Sequence, residues 1–295
     1  MVDTLITFLA ANITSFGTFK AFWSEGGKIY EDNNVFFNFV FLDAVYDFRE
    51  KYPKIKALSD SILKWTLKYR PKGDMWVYWV DREIYPDFDD ISLGSLVLEK
   101  YGFKPSPNVR DTIDKYRTKT CVFLFKAPYD VKNKRCDCIV NINAFRYLKD
   151  KSICEYLSRC WGKIDKLASH TYEYAGYFFY YFYSKALKGG LSCNFDIKER
   201  ILSELKSDTL RGLPLILVFT SASILGIRDS LVDKAYEKIS STLMRDGGLP
   251  EYKYFYIYNP HIYNPQGDNF YSFFGRTFPT IIFLEGVLHY VGGNN

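Results

Sequence analysis

Residues 36–48 read FFNFVFLDAVYDF, and residues 55–70 read IKALSDSILKWTLKYR. The first stretch is apolar almost all round a helical wheel, so it has little to offer water and belongs inside a core. The second repeats its apolar residues at helical spacing and gathers Lys56, Asp60, Lys64 and Lys68 on one face, which is how a helix with a wet side reads. A buried helix from about Asn33 to Phe48 followed by an amphipathic one from about Ile55 to Tyr69 makes a pair, and the pair recurs. The same order covers about Asp89–Tyr101 with Asn108–Arg117, and Asp137–Leu148 with Ile153–Leu167. Further pairs are Tyr172–Leu187 with Ile197–Leu205, and Gly212–Leu225 with Leu231–Met244. A last buried helix, Thr277–Val291, takes the N-terminal helix Asp3–Asn12 as its partner and closes the ring.

Alternation of this kind predicts an all-α chain, an (α/α)6 barrel or toroid in one domain over residues 1–295, with an irregular helical bundle as the alternative. The segments before the buried helices also rhyme: FGTFKAFW at 16–23, GDMWVYW at 73–79, TCVFLF at 120–125 and GGLPEYKYFYIY at 247–258. Several alternate with a period of two, which predicts short β-ribbons at one end of the barrel. A gapless superposition of the first three buried helices puts Asn38, Ser92 and Asn141 in one column.

Composition narrows the function. The chain has 47% apolar and 25% charged residues, an ordinary soluble balance, but 19% aromatics, with 25 Tyr, 25 Phe and 5 Trp. Such a surplus lines either an aromatic core or an aromatic cavity. A net charge of +5 without a run of like charges gives nucleic acid no handle. The 6 cysteines are scattered through apparent helices in a chain too large to need stapling, and read as reduced thiols in a cytoplasmic protein. Leu5 to Ala11 is apolar but short and follows Asp3, so it reads as a buried helix, and the Asn12-Ile13-Thr14 sequon as a chance match. No apolar run is long enough to span a bilayer, which leaves peripheral membrane contact open.

The chemistry concentrates at Pro86-Asp87-Phe88-Asp89-Asp90-Ile91-Ser92, where an aromatic loop enters a buried helix. Asp is a favoured N-cap and suits the helix dipole, which accounts for Asp87 and for Asp89 in part. It does not account for all the carboxylates, because ISLGSLVL behind them has almost no polar surface, so at least one carboxyl points into the barrel. A carboxyl in an apolar cavity beside other carboxyls resists ionisation through desolvation and like-charge repulsion, and so stays loaded with its proton. Aromatic faces supply what a carbocation needs, negative potential without a nucleophile. Wall candidates on the buried helices and the loops before them are Trp23, Phe37, Trp79, Tyr174, Phe178, Tyr181 and Phe274, for each of which plain core packing is the competing account. Asn141 and Asn143 sit in an otherwise apolar helix and need partners, either the aspartates or a neighbouring helix. His170 is a further candidate partner.

The string DFDDIS at the mouth of a buried helix, inside an (α/α) array and after GDMWVYW, resembles the D-x-D-D motif of class II terpene cyclases, the family that includes the squalene-hopene cyclases. The resemblance implies a terpene or meroterpenoid cyclase, an isomerase of isoprenoid biosynthesis, that protonates a linear isoprenoid or prenylated small molecule and closes it into fused rings. It implies Asp89 as the general acid, Asp87 and Asp90 as its flanking carboxylates, and no cofactor or metal. The pattern departs from the family in two places: Asp246-Gly247-Gly248 is followed by Leu249 where the tryptophan repeat has Trp, and Ser92 stands where relatives carry Thr. It also leaves a polyprene to be shielded from water, by membrane contact or a homodimer. Two other readings stand beside it, a noncatalytic isoprenoid- or lipid-binding barrel in which the aspartates only cap a helix, and a sugar-active (α/α) barrel pairing Asp89 with Glu173.

Other chemistries lack their motifs. Asp89-Asp90 is followed by Ile91, Ser92 and Leu93, so the D-D-x-x-D magnesium site of ionisation-initiated cyclases is missing. Cys136-Asp137-Cys138 resembles a zinc triplet, but consecutive helical residues point in different directions and paired spacings are lacking. Phosphate-binding glycine loops and a Gly-x-Ser-x-Gly elbow are absent as well.

Overall fold

The computed structural model describes residues 1–82, 84–169, 171–258 and 270–292. Among these the helices are α1 (Val2–Ala11), α2 (Phe36–Val45), α3 (Pro53–Lys68), α4 (Phe88–Lys100), α5 (Asn108–Lys115), α6 (Pro128–Asn133) and α7 (Cys138–Leu148). They continue as α8 (Cys154–Trp161), α9 (Ala175–Lys188), α10 (Lys198–Leu205), α11 (Gly212–Ile224), α12 (Ser230–Ser240) and α13 (Thr277–Gly292). The strands are β1 (Phe22–Glu25), β2 (Lys28–Glu31), β3 (Tyr252–Tyr258) and β4 (Phe270–Gly275).

The helices that read as apolar all round touch one another in a closed cycle. α2 packs on α4, α4 on α7, α7 on α9, α9 on α11, α11 on α13, and α13 back on α2. The amphipathic helices lie outside: α3 on α2, α5 on α4, α8 on α7, α10 and α12 on α11, and α1 on α13 and α3. Every residue of α2 is buried, whereas α3 buries Ile55, Leu58, Ser59, Ile62 and Thr66 and leaves its lysine face wet. The ring is tightest between α11 and α13. A Cβ on Gly286 would stand 2.6 Å from Thr220 Oγ1 and 2.7 Å from Phe219 Cε1, so glycine is what lets the helices meet, and Thr220 Oγ1 donates to the carbonyl of Ile282 at 3.0 Å.

An antiparallel sheet in the order β2-β1-β4-β3 caps the end of the ring where these inner helices begin. Its register pairs Trp23 with Phe273 and Phe22 with Phe274, and an irregularity between Lys253 and Phe255 brings Phe255 opposite Phe273 as well. The predicted ribbons thus form from two of the four rhyming segments. Among the described residues GDMWVYW and TCVFLF make isolated bridges instead, Asn34 with Trp79, Asp87 with Phe125, Arg117 with Val122 and Phe123 with Cys136. The other departures are local. The expected helix Ile153–Leu167 runs only over Cys154–Trp161, with Gly162 as its C-cap, and is followed by a 3-10 turn over Ile164–Lys166. The short α6 sits in a segment read as loop.

The cysteines are not the reduced thiols that the sequence predicts. All are paired, as Cys121–Cys136, Cys138–Cys160 and Cys154–Cys193. Packing of α7 against α8 and of the adjoining loops brings their Cα atoms to 5.3–6.2 Å, within bridging range. Disulfides persist in oxidising surroundings, so the argument from thiols to the cytoplasm falls with the thiols. No described helix is long and apolar enough to cross a membrane. The bridges close sequence separations of 15, 22 and 39 residues around the segment that starts α7. Full reduction, checked by thiol titration, is expected to lower the melting midpoint by roughly 10 °C or more, at about 3 kcal/mol for each loop closed. An unshifted midpoint would show that these bridges clamp nothing that the core does not already hold.

Candidate active site

Asp87, Asp89 and Asp90 open α4 at the capped end of the ring, and each has a different environment. Asp87 is the N-cap, its Oδ1 accepting from the backbone N–H of Asp89 at 2.7 Å. Asp89 is 5% exposed and held at both oxygens: Asn143 Nδ2 donates to Oδ1 at 2.7 Å and the Tyr172 hydroxyl donates to Oδ2. Asp90 is 1% exposed, and among the described residues neither oxygen has a hydrogen-bond partner. A buried carboxylate without donors cannot stay ionised cheaply, so Asp90 is a neutral acid.

Burial, reinforced by the neighbouring Asp89, drives Asp87 well above the usual carboxylate range, and burial with Asp87, Asp89 and Asp32 does the same to Asp90. Asp89 rises less. Burial pushes it up to about 6, against the pull of Tyr172 and Asn143, which hydrogen-bond its charged form. It is therefore a less fully loaded acid at neutral pH than the sequence predicts, because the sequence does not reveal its two donors.

The asparagines part company. Asn141 Oδ1 accepts from Val122 N at 2.7 Å and its Nδ2 donates to Val122 O at 2.9 Å, pinning the aromatic loop, while Asn143 alone reaches the aspartates. Two residues apart on a helix they face about 200° apart, so they could not share a partner. Asn38 likewise donates to Gly17 O at 3.1 Å, in the loop ahead of its own helix, and Ser92 Oγ has no partner among the described residues. The column of Asn38, Ser92 and Asn141 is thus structural at two of its positions.

Aromatic rings crowd beside Asp89. Tyr172 lies 4.8 Å from Phe178 and 5.0 Å from Phe255, Phe255 lies 5.3 Å from Phe278, and Phe37 stacks on Phe278 at 4.4 Å. Trp23 and Trp79, 6.0 Å apart, belong to the same end, with Trp79 5.9 Å from Phe273. The remaining wall candidates are corrected. Phe274 stacks on Phe22 on the opposite face of the sheet, and Phe273 takes its place, since neighbours along a strand point to opposite faces. Tyr174 lines an outer depression with Glu173 and Glu204, away from the aspartates. Tyr181 donates to Glu285 at 2.6 Å, beyond the aromatic layer. Glu173 is exposed, so it does not pair with Asp89 across a cleft. Cys136 and Cys138 are disulfide-bonded and unavailable to zinc. His170 lies outside the described residues.

Sequence reasoning missed Asp32, Tyr172, Arg146 and Phe255. Asp32 is buried, accepts from Trp79 Nε1 at 2.7 Å, Asn34 Nδ2 at 2.8 Å and the Tyr78 hydroxyl at 3.0 Å, and is pushed up by burial to about 7. The string EDNN ahead of α2 mirrors DFDD ahead of α4 and was the available signal. Nothing local marks Tyr172, which reaches Asp89 across 83 positions of sequence.

No family model matches the chain, and no curated protein matches it in sequence. Solved structures do. The type II terpene cyclase MstE from Scytonema superposes with a TM-score of 0.72 at 12% identity, covering 99% of this chain and 98% of that one. A variant of that cyclase in complex with geranylgeranyl dihydroxybenzoate gives 0.71 at 11% identity, covering 99% and 97%. The GH76A α-1,6-mannanase from Salegentibacter sp. HEL1_6 follows at 0.55 and 11% identity, covering 99% and 98%. These likenesses show an (α/α) fold shared with terpene cyclases and glycoside hydrolases.

Proposed function

We propose that the protein is a cofactor-independent class II cyclase on a single (α/α)6 barrel, in which Asp89 protonates the terminal alkene or epoxide of a linear isoprenoid or prenylated small molecule. The observation that carries this reading is a buried carboxyl held between an amide and a phenol and facing a cage of aromatic rings. With an alkene, Asp89 delivers its proton to carbon and the π pair becomes the new C–H bond. With an epoxide, the proton goes to the ring oxygen and a C–O bond breaks to leave a hydroxyl. In either case the positive charge left on carbon is met by the next double bond. The faces of Phe37, Phe178, Phe255 and Phe278 stabilise that charge without trapping it. Asn143 and Tyr172 stabilise the carboxylate that remains. Loss of a proton or capture of water ends the cascade. Burial keeps Asp87 and Asp90 neutral, which leaves Asp89 as the carboxyl that cycles between loaded and ionised forms near working pH, as a general acid must.

Phe255 projects from β3 into the centre of the cage, so a ligand that reaches Asp89 displaces it, and the sheet above provides cover from water. The neighbour's complex with a prenylated dihydroxybenzoate makes that compound the first probe. Incubation in heavy water should yield cyclised product with one non-exchangeable deuterium. Recovery of unchanged ligand would favour a binding module, and cyclised product without deuterium would remove the protonation step.

A further inference from the structure

Beneath the aromatic layer, at the other end of the inner helices, lies a buried charge cluster that the proposed reaction does not use. Asp43 of α2 accepts from Lys100 Nζ at 2.6 Å, Arg146 Nη2 at 2.8 Å and Lys185 Nζ at 2.8 Å. Lys185 also pairs with Glu285 at 2.9 Å. A cavity of about 280 Å³ opens on these groups, and Asp47, Lys188 and His289 complete its charged lining. Lys188 pairs with Asp47 at 2.5 Å, and burial lowers His289 to about 4, so it is neutral. The cavity therefore holds one cation more than it holds anions.

The surplus has a direction. Arg146 and Asn143 stand three residues apart on α7 and so lie one above the other. Arg146 Nη1 donates to Asn143 Oδ1 at 3.2 Å, and Asn143 Nδ2 donates to Asp89 Oδ1 at 2.7 Å. A guanidinium only donates, so it claims the amide oxygen and obliges the amide nitrogen to face Asp89. We propose that Arg146 is a positioning residue for the acid: it fixes the orientation of Asn143 and, through that amide, sets the surplus positive charge against the carboxylate that Asp89 becomes as its proton leaves. This rests on the reading of Asp89 as the proton donor. Charge fixed in advance where charge develops stabilises a transition state without reorganisation. The groups around Asp89 oppose one another in the expected sense. Burial and Asp137, the N-cap of α7, resist its ionisation, Tyr172, Asn143 and Arg146 favour it, and an ionised Asp89 in turn raises Asp87 and Asp90 of its own helix, which stay neutral.

The test is an infrared titration of the protonated Asp89 carbonyl band, isolated by difference against Asp89→Asn. Arg146→Gln should move the midpoint up by about one pH unit or more, and Arg146→Lys should reverse part of the shift. In Arg146→Gln, kcat measured near pH 5, where Asp89 is loaded in both proteins, should fall by up to about tenfold with KM unchanged. Lys185→Met/Glu285→Gln removes one cation and one anion, keeps the surplus, and should leave the midpoint in place. Arg146→Met/Asp43→Asn also keeps the count of surplus charge but removes the donor that holds the Asn143 oxygen, so it should shift in the same direction as Arg146→Gln, and it decides the matter if the single variant does not fold. An unmoved midpoint in a folded Arg146 variant, or an equal shift in the Lys185/Glu285 control, overturns the proposal. Variants that show these shifts, beside a wild-type protein that turns over no prenylated probe, would strike the cyclase reading and leave the electrostatic coupling standing.

Discussion

Replacing Asp89 by Asn is expected to cut kcat by about 10²- to 10⁴-fold, the usual contribution of a positioned general acid, without loosening the fold. An amide is close to the carboxyl in shape. Its oxygen can accept from Asn143 Nδ2, and its nitrogen can donate to the Tyr172 oxygen, so both contacts of Asp89 survive. What is lost is the transferable proton. Stability should hold or improve, because Asp89 titrates at about 6 and the wild-type chain is left with a buried carboxylate at neutral pH. The measurement is single-turnover rate together with a thermal melt at pH 7. A variant with wild-type rate removes Asp89 from the chemistry. One that melts far below wild type would show a structural cap, which would return the site to the binding-module reading.

The chain should also be more stable near pH 5 than near pH 8. Burial raises Asp32 to about 7 and Asp89 and Asp130 to about 6, and carries Asp87 and Asp90 well above the range of a free carboxyl. Between an unfolded value near 3.8 and those folded values, the native state holds protons that the unfolded chain has released. The stability this confers is complete below the unfolded value and drains away as pH climbs through 6 to 7 and beyond. Asp32 alone, shifted by about three pH units, accounts for about 4 kcal/mol of it. Other groups bound the effect on the acid side. Burial opposes ionisation of Asp43, but Arg146, Lys100 and Lys185 outweigh it and hold the group well below the usual range, and Arg276 draws Asp246 to about 2. Those contributions vanish only as pH drops below about 4. His289, kept neutral by burial, weakens the fold as pH falls from 6.5 toward 4. Melting curves from pH 4 to 9 should therefore peak near 5, and Asp90→Asn, which forfeits no hydrogen bond, should flatten the alkaline side. A midpoint that rises steadily to pH 8 would mean these carboxyls are better solvated than their burial implies.

The alternation of wholly apolar and one-sided helices was readable in the chain because burial acts on each helix separately: α2 and α3 declare inside and outside in their own residues. The placement of DFDD was readable for the same reason, since an N-cap and its following helix are a local matter. Asn143 was readable only as one of a pair, because choosing between it and Asn141 requires knowing which helix face meets α4. Phe273 was mistaken for Phe274 because strand phase is set by pairing partners far away in sequence. The disulfides, Tyr172 beside Asp89, and the link from Arg146 to Asp43 across 103 positions were not written locally at all. What the sequence by itself determined is periodicity, and so the ring of helices and the end at which its acids sit. The tertiary structure alone decided which side chains meet those acids, because hydrogen bonds and charge pairing depend on distances that come into being only when the ring closes.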